Sequence, residues 1–426
     1  MGRLWSHRDF CLLWAGETAE WVTDSISMLG IPTIAILLFN AGPLAMGMLN
    51  AFGNLAYPFL GLFAGVWVDR WRRKPVLVWT NIVQVIALGS IPVAFLLRIL
   101  SLYQLFLVTL VMSVTIVFFD MAYTAYLPTL IVREDLVEGN AKLETSLSGS
   151  AVVGPALAGG LIQILGAPLS IAADAFGTLT AAIAIFSIRK PEPLPPETKR
   201  DFRSELQAGL RSVADTPSLR TLTEANSIFN LGYNMFYAVF FLFIYNELKI
   251  SPGLAGVILS VGAIGFVIGA ISTPTILKRI GLKTTLVLAL LINGVGLLAV
   301  PTSKYGPAPV LLSAFWLLAS IGMPIYNINQ VSFRQAIVSN ELQGRMNATV
   351  RTFGYGAATA GALIGGILGS VYGIIPVMVG GAIITLLTVP LIHLSTLGPV
   401  NWYCRYCGRN IDSTSRFCCY CGRRLQ

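Results

Sequence analysis

The chain has 426 residues, 55% hydrophobic and only 12% charged, with a mean hydropathy of +0.73. Soluble globular domains carry about 25% charged residues, so composition excludes a water-soluble enzyme. Apolar runs longer than about 18 residues recur, the pattern of a polytopic all-α integral membrane protein. The net charge of +9 raises nucleic acid as a partner, but the placement of the bases assigns them elsewhere.

Twelve transmembrane helices are predicted, over residues 11–39, 44–68, 76–98, 102–132, 144–166, 168–188, 219–246, 253–277, 284–301, 308–338, 344–370 and 374–396. The first run begins near Cys11 and contains acids, so it reads as a true span and not as a cleavable signal. Of the 29 bases, 26 fall on one side of this arrangement and only Arg98, Lys249 and Lys304 on the other. The excess of bases faces the cytoplasm, which predicts a multi-pass plasma-membrane protein with both termini inside. Topology thus accounts for the bases of the membrane part, and nucleic acid is not needed as a partner.

The first span carries Glu17, Glu20 and Asp24 at spacings of three and four, on one helical face. Charge inside a bilayer costs about 2.5–3.5 kcal/mol even on insertion scales. Such acids therefore face a cavity or a partner. Carboxyls this close repel when ionised, which favours one of them holding a proton. Glu17 sits early enough to reach cytoplasmic water. Asp174, near the outer end of the sixth span, is expected to cap or pair structurally. Glu20, Asp24 and Asp120 of the fourth span are the expected proton or cation sites, and the proton is the expected coupling ion. Asn50 and Asn54 form a polar pair in the second span.

The loop after the second span reads Gly65-Val66-Trp67-Val68-Asp69-Arg70-Trp71-Arg72-Arg73-Lys74-Pro75. Its bases suffice to anchor the chain at the cytoplasmic face, but orientation does not explain Asp69. A carboxylate there can pair with Arg133 or meet a helix N-terminus across the interface. The stretch recurs as Lys278-Arg279-Ile280-Gly281-Leu282-Lys283, with Arg70 on Arg279 and Lys74 on Lys283. Gly281 supplies a glycine where the first copy has Arg72. Ala156-Leu157-Ala158-Gly159-Gly160 similarly recurs as Ala362-Leu363-Ile364-Gly365-Gly366. Parallel duplication of two six-helix halves follows, with a substrate path at their interface. The expected division is 1–190 for the first half, 191–218 for a cytoplasmic linker with a short helix over 201–214, 219–398 for the second half, and 399–426 for a separate tail.

Further polar groups lie in the seventh span (Asn226, Asn230, Asn234, with Tyr233 and Tyr237) and the tenth (Asn327, Asn329, Gln330). Such stripes serve either as interhelical hydrogen bonds, worth about 0.6 kcal/mol each, or as contacts to an amphipathic ligand. Asn54, Asn230, Asn234, Tyr233, Asn327 and Gln330 are the candidate substrate contacts.

In the tail, Cys404-x2-Cys407 and Cys418-x2-Cys421 are near copies, each followed by glycine. Four thiolates at this spacing suit one tetrahedral zinc ion, and the pattern resembles a short zinc ribbon. Cys419 competes with Cys418 as a ligand. A reducing compartment disfavours disulfides, and so short a segment has too little core to fold without metal. The ribbon's expected role is structural or in docking a protein partner.

The Gly65–Lys74 loop resembles the hallmark loop of the major facilitator superfamily, matching at Gly65, Asp69, Arg70, Arg73 and Lys74 and departing at Arg72. That resemblance implies a cytoplasmic gate built from these residues with Arg133. Gly154-Pro155-Ala156-Leu157-Ala158-Gly159 resembles the motif of drug:proton antiporters, in which a bent fifth helix seals a leak path. Arg334-Gln335-Ala336-Ile337-Val338, Gly344-Arg345-Met346-Asn347-Ala348-Thr349 and Phe10-Cys11-Leu12-Leu13-Trp14-Ala15-Gly16 resemble an export branch that includes macrolide-efflux and enterobactin-export transporters. The likeness covers about residues 5–396. It implies a monomeric exporter of small amphipathic molecules (drug, macrolide or siderophore class) that contacts membrane lipid and is coupled to protons. A uniport or lipid-flipping carrier, and a non-transporting receptor signalling through the ribbon, are the alternatives.

Overall fold

The computed structural model describes residues 4–132, 135–192, 202–338, 340–395, 402–403 and 410–411. With no water to satisfy backbone groups in a bilayer, the apolar runs close their hydrogen bonds internally as helices. The N-terminal half comprises α1 (Arg8–Thr33), α2 (Pro43–Asn54), α3 (Ala56–Arg70), α4 (Arg73–Leu96), α5 (Leu102–Leu130), α6 (Leu136–Leu165) and α7 (Ala167–Phe186). A linker helix, α8 (Phe202–Ala214), leads to the C-terminal half. That half holds α9 (Pro217–Leu242), α10 (Pro252–Ala299), α11 (Ala308–Ile337), α12 (Asn340–Tyr372), α13 (Ile374–Leu386) and α14 (Thr388–Leu394). Strands β1 (Trp402–Tyr403) and β2 (Asn410–Ile411) pair antiparallel, Trp402 opposite Ile411 and Tyr403 opposite Asn410.

Ten helical stretches among the described residues are long and apolar enough to cross a membrane. One of them contains all of α10, whose 48 residues are more than twice the roughly 20 that one crossing needs. Its helical geometry breaks at Gly281, with φ 73° and ψ 168°. Helices α2 and α3 are too short to qualify singly and adjoin at Leu55. Large apolar side chains such as Trp79, Ile86, Phe176 and Phe186 are exposed on the outside, as a lipid-facing surface requires.

The backbone repeats its irregularities between the halves. A π-helical turn ends α1 at Ile34–Leu38 and α9 at Phe243–Glu247. Asn40 and Lys249 both follow with positive φ, at 50° and 55°. Gly166 (φ 80°) joins α6 to α7, and Gly373 (φ 88°) joins α12 to α13. A one-residue link between antiparallel helices needs that left-handed conformation, which glycine adopts without steric cost.

The two ends of the bundle pack differently. At the end with the short loops (residues 39–42, 97–101, 248–251 and 300–307), one apolar core runs through both halves, from Ile26, Leu29 and Ile162 to Phe240, Ile258 and Trp316. At the end with the basic loops the core divides. Leu13, Leu77, Tyr126 and Ile185 belong to the N-terminal half alone, and Leu222, Leu286, Ile325 and Ile392 to the C-terminal half alone. The halves are thus pinned at the short-loop end. There a Cβ on Gly47 would lie 2.6 Å from the Gly366 Cα, and one on Gly159 would lie 3.0 Å from the Gly256 Cα. Small residues permit such helix contacts in membranes. Thr33 and Tyr245 share a 2.7 Å hydrogen bond across the same seam.

The linker helix packs through Gly209 and Val213 against α12, near Arg345, Met346 and Thr349. The predicted short helix over 201–214 is therefore present as α8.

Candidate functional site

A cavity of about 320 Å³ lies between the halves. Its wall includes Asp24 and Ser27 of α1, Asn50 and Asn54 of α2, Met112 of α5, and Tyr237 and Phe241 of α9. A mostly apolar wall with a few fixed polar groups is the ordinary character of a small-molecule pocket. Asn54 Nδ2 donates to Asn50 Oδ1 at 2.9 Å and to Asn234 Oδ1 of the other half at 3.4 Å.

Of the six expected substrate contacts, Asn54 lines this cavity and the other five do not. Asn230 Nδ2 and Asn234 Nδ2 donate to the carbonyls of Asn226 and Asn230, one turn back, at 2.7 and 2.9 Å. Asparagine side chains within helices readily form such local bonds to their own backbone, which diverts them from the cavity. Tyr233 stacks between Phe229 and Tyr237, with ring centroids 5.9 and 6.0 Å away. Asn327 is half-buried and Gln330 buried on α11.

The acids of α1 form a graded line. Glu17 is fully buried and neither carboxylate oxygen has a hydrogen-bond partner. This corrects the expectation that Glu17 reaches water: the packing of α1 against α6 and α7 seals it. Glu20 is half-buried, 3.5 Å from Asn81 Nδ2 of α4. Asp24 is exposed into the cavity. Asp174 of α7, 1% exposed, accepts a hydrogen bond from Ser27, one turn beyond Asp24. Asp174 does pair, as its position suggested, but the pairing adds a fourth carboxyl to this line. Among the described residues none of the four forms an ion pair.

Asp120 stands apart. It accepts from the Tyr57 hydroxyl and lies 3.9 Å from Arg351 of α12, both side chains about half exposed. Tyr57 also stacks on Tyr355 of α12 at 4.0 Å. The three expected proton sites therefore fall in two places, Glu20 and Asp24 in the α1 line and Asp120 at a contact between halves.

In the basic loop, Arg73 pairs with Glu192 at 3.4 Å, and Glu192 also accepts from the Arg73 and Lys74 backbone amides at 2.7 and 3.1 Å. Lys74 Nζ donates to the Ile188 carbonyl at 2.6 Å. These bonds cap α4 and stay within the N-terminal half, so neither base bridges the interface in this conformation. Arg70 is exposed at the end of α3, and Gly65 lies in that helix. The Asp69 side chain and all of Arg133 lie outside the described residues, as do Cys404, Cys407, Cys418 and Cys421.

The fifth-span motif is a contact surface. Gly154 abuts Ser25 and the Val22 carbonyl of α1. Pro155 and Gly159 face Gly256 of α10, and the Ala156 amide donates to Ser260 Oγ at 3.0 Å.

Comparison with known proteins settles the family. The model of the family described as Transmembrane secretion effector (MFS_3) matches residues 5–403. The chain belongs to this major facilitator family. As an MFS_3 protein it is a multi-pass membrane transporter and not an enzyme. Macrolide efflux protein A of Streptococcus pyogenes is 24% identical over 352 residues, 79% of this chain and 83% of the relative. Multidrug efflux pump Tap of Mycolicibacterium fortuitum is 23% identical over 378 residues, 85% and 89% of the two chains. Among solved structures, a bacterial homologue of the iron transporter ferroportin in its inward-facing state aligns with a TM-score of 0.74 at 17% identity, covering 90% of this chain and 98% of that one.

Two residues of this MFS_3 transporter escaped the sequence reading. Arg334 and Arg351 fall inside the predicted tenth and eleventh spans, count there with the cytoplasmic bases and carry no site role. Both lie inside helices, and Arg334 is buried. The spacing of Tyr326, Gln330 and Arg334 was the available signal, since it places a base on the same helical face as two polar side chains.

Proposed function

We propose that this transporter exports small amphipathic molecules across the cell membrane by alternating access, driven by proton antiport. The observation that carries the proposal is Asp24: of the four neighbouring carboxyls it is the exposed one, and it faces the cavity between the halves. A carboxyl there can take a proton from one side and release it to the other as the cavity changes access. The names of the macrolide and multidrug efflux relatives support export and the substrate class.

The proposed path has twelve crossings. Helices α2 and α3 together make one, and α10 makes two, divided at Gly281, which corresponds by duplication to the break at Trp71–Arg72 between α3 and α4. The excess of bases makes the basic-loop end cytoplasmic, with both termini inside. The conformation described, pinned at the short-loop end, is then the one open to the cytoplasm. Asp69, Arg70 and Arg133 are proposed to gate that end when it closes, and Asp120 with Arg351 to hold the halves in register meanwhile.

The tail is proposed to hold one zinc ion through Cys404, Cys407, Cys418 and Cys421. What supports this reading is the spacing of the two C-x2-C pairs in the sequence.

The test is dye or antibiotic movement in inverted vesicles under an imposed pH gradient. The wild type should accumulate the compound, and Asp24→Asn and Glu20→Gln should not. Transport that ignores the gradient and survives both substitutions would leave a uniport carrier and reject proton coupling.

A further inference from the structure

Export coupled at α1 makes no use of the polar face of α11. Tyr326, Gln330 and Arg334 follow at four-residue intervals on one helical face. All three are buried, and each carries an atom sealed from solvent without a hydrogen-bond partner: the Tyr326 hydroxyl, Gln330 Oε1 and Arg334 Nε. Arg334 is 6% exposed, and among the described residues no carboxylate lies within ion-pair distance of it. The charged group that acts on it is another cation, Arg351 of α12.

A guanidinium cannot shed its charge at physiological pH. Buried and unpaired, it is expensive to keep. Asp120, 3.9 Å from Arg351, answers one of the two arginines and leaves the positive charge of Arg334 unanswered. The surroundings are aromatic. Tyr326 stacks on Phe229 at 5.6 Å, and the Arg351 guanidinium sits 5.9 Å from the Tyr57 ring, which itself stacks on Tyr355. The parted end of the bundle gives access, since Arg351 is 51% exposed.

We propose that Arg334 and Arg351 form a binding site for an oxyanion, a carboxylate or phosphate borne on an amphipathic molecule. The guanidinium groups bind the oxyanion by charge-assisted hydrogen bonds, the Tyr326 hydroxyl donates to it, and the aromatic rings cover the apolar part. Asp120 is the internal competitor: its carboxylate holds Arg351 until the ligand's oxyanion replaces it. The site is distinct from the α1 carboxyl line, so its failure would leave the export reading standing.

The test uses the full chain in phosphatidylcholine nanodiscs, with the thermal unfolding midpoint followed against dodecyl phosphate, dodecanol and inorganic phosphate. Dodecyl phosphate should raise the midpoint saturably and dodecanol should not. Arg334→Gln and Arg351→Gln should each weaken the apparent affinity by about tenfold or more, the value of one charge-assisted contact. Arg98→Gln, at the short-loop end, should change nothing. Asp120→Asn should tighten binding, a gain that a merely structural role for the arginines does not produce. Inorganic phosphate acting as well as dodecyl phosphate would overturn the amphipathic part of the proposal. Discs containing phosphatidylglycerol separate the sources: if they stabilise the wild type and block dodecyl phosphate, a lipid headgroup fills the site, and if they do neither, a soluble amphiphile does. Equal stabilisation of wild type and Arg334→Gln, or none of the wild type by dodecyl phosphate or phosphatidylglycerol, overturns the site. Should Arg334→Gln fail to fold, Asp120→Asn decides, and unchanged or weaker binding there is the overturning result.

Discussion

In the N-terminal half, Glu17, Glu20, Asp24 and Asp174 share the seam where α1 meets α4 and α7, with no base among them. In the C-terminal half, Arg334 lies on α11 and Arg351 on α12, and Asp120 of the other half is the acid that reaches Arg351. Both regions hold charge where a membrane makes charge costly, but the chemistry of relief differs. A carboxyl becomes neutral by taking up a proton, whereas a guanidinium stays charged and needs an anion. On the two proposals above, one half of the duplicated fold is suited to protons and the other to oxyanions. Asp120 and Arg351 are one of the contacts between the halves.

The largest expected effect tests this division directly. Asp24→Asn should abolish gradient-driven export, a loss of at least about tenfold, equivalent to about 1.4 kcal/mol or more in the coupled step. Arg334→Gln should leave the dependence on the pH gradient intact while changing which compounds are carried. Raising the pH on both sides until the α1 carboxyls ionise should slow the wild type and spare no function in Asp24→Asn, which has none to lose. Export rates measured with and without the gradient in both variants check this. If Arg334→Gln loses gradient dependence as fully as Asp24→Asn, the halves are not divided in this way.

The difference between halves matters only if they move about the end where they are pinned. Gly47→Val places a side chain against the Gly366 backbone, where even a Cβ would lie 2.6 Å from Cα. Overpacking of this kind costs about 1–3 kcal/mol. The unfolding midpoint should fall, and a cysteine at position 241, on the cavity wall, should become reactive from the short-loop side. Gly149→Ala is the counterpart toward the basic end, where nothing lies within 4 Å of the added methyl, and it should leave both readouts unchanged. Similar effects from the two glycines would break the contrast between a pinned and a parted end.

A smaller effect sharpens the contrast between charge at the water edge and charge within the membrane. Glu192, unlike the α1 acids, has its bases and amides in place around Arg73 and Lys74. Glu192→Ala removes the cap of α4 and should cost about 1 kcal/mol, read as a lower midpoint with export coupling unaltered. Loss of gradient dependence in this variant would assign the loop a role in coupling.

Much of this was legible in the sequence because it follows from local rules. Apolar length and repeat spacing gave the spans, and a four-residue period put Glu20 and Asp24 on one face. What spacing leaves open is the partner on the facing helix. Glu17 looked wet because it sits early in its span, but α6 and α7 cover it. Asp174 was expected to cap or pair, but its partner, Ser27, is 147 residues away and could not be named. The Asn226–Asn230–Asn234 ladder suited ligand contacts or interhelical bonds alike; Asn230 and Asn234 donate one turn back, and Asn234 also accepts from Asn54 across the halves. Arg334 falls near the end of the predicted tenth span and was counted with the cytoplasmic bases, because bases near span ends are ordinarily wet; only the packing of α11 shows it buried.

The smallest expected effect on transport concerns the tail. If Cys404, Cys407, Cys418 and Cys421 hold zinc, metal analysis of the purified chain should give about one ion per molecule, and each Cys→Ser change should lower that content. Cys419→Ser should leave it unchanged if Cys418 is the ligand, and Cys418→Ser should leave it unchanged if Cys419 takes that place. A segment this short draws its folding energy from the metal, so chelation should expose the tail to protease while the helical bundle stays intact. Export from chelated vesicles should stay within about twofold of the untreated rate, because the α1 carboxyls and the cavity lie within the helical bundle and not in the tail. Metal content well below one ion per chain would reject the zinc proposal. A collapse of export on chelation would mean that the tail acts on the membrane halves, and the contrast between them would then need a third participant.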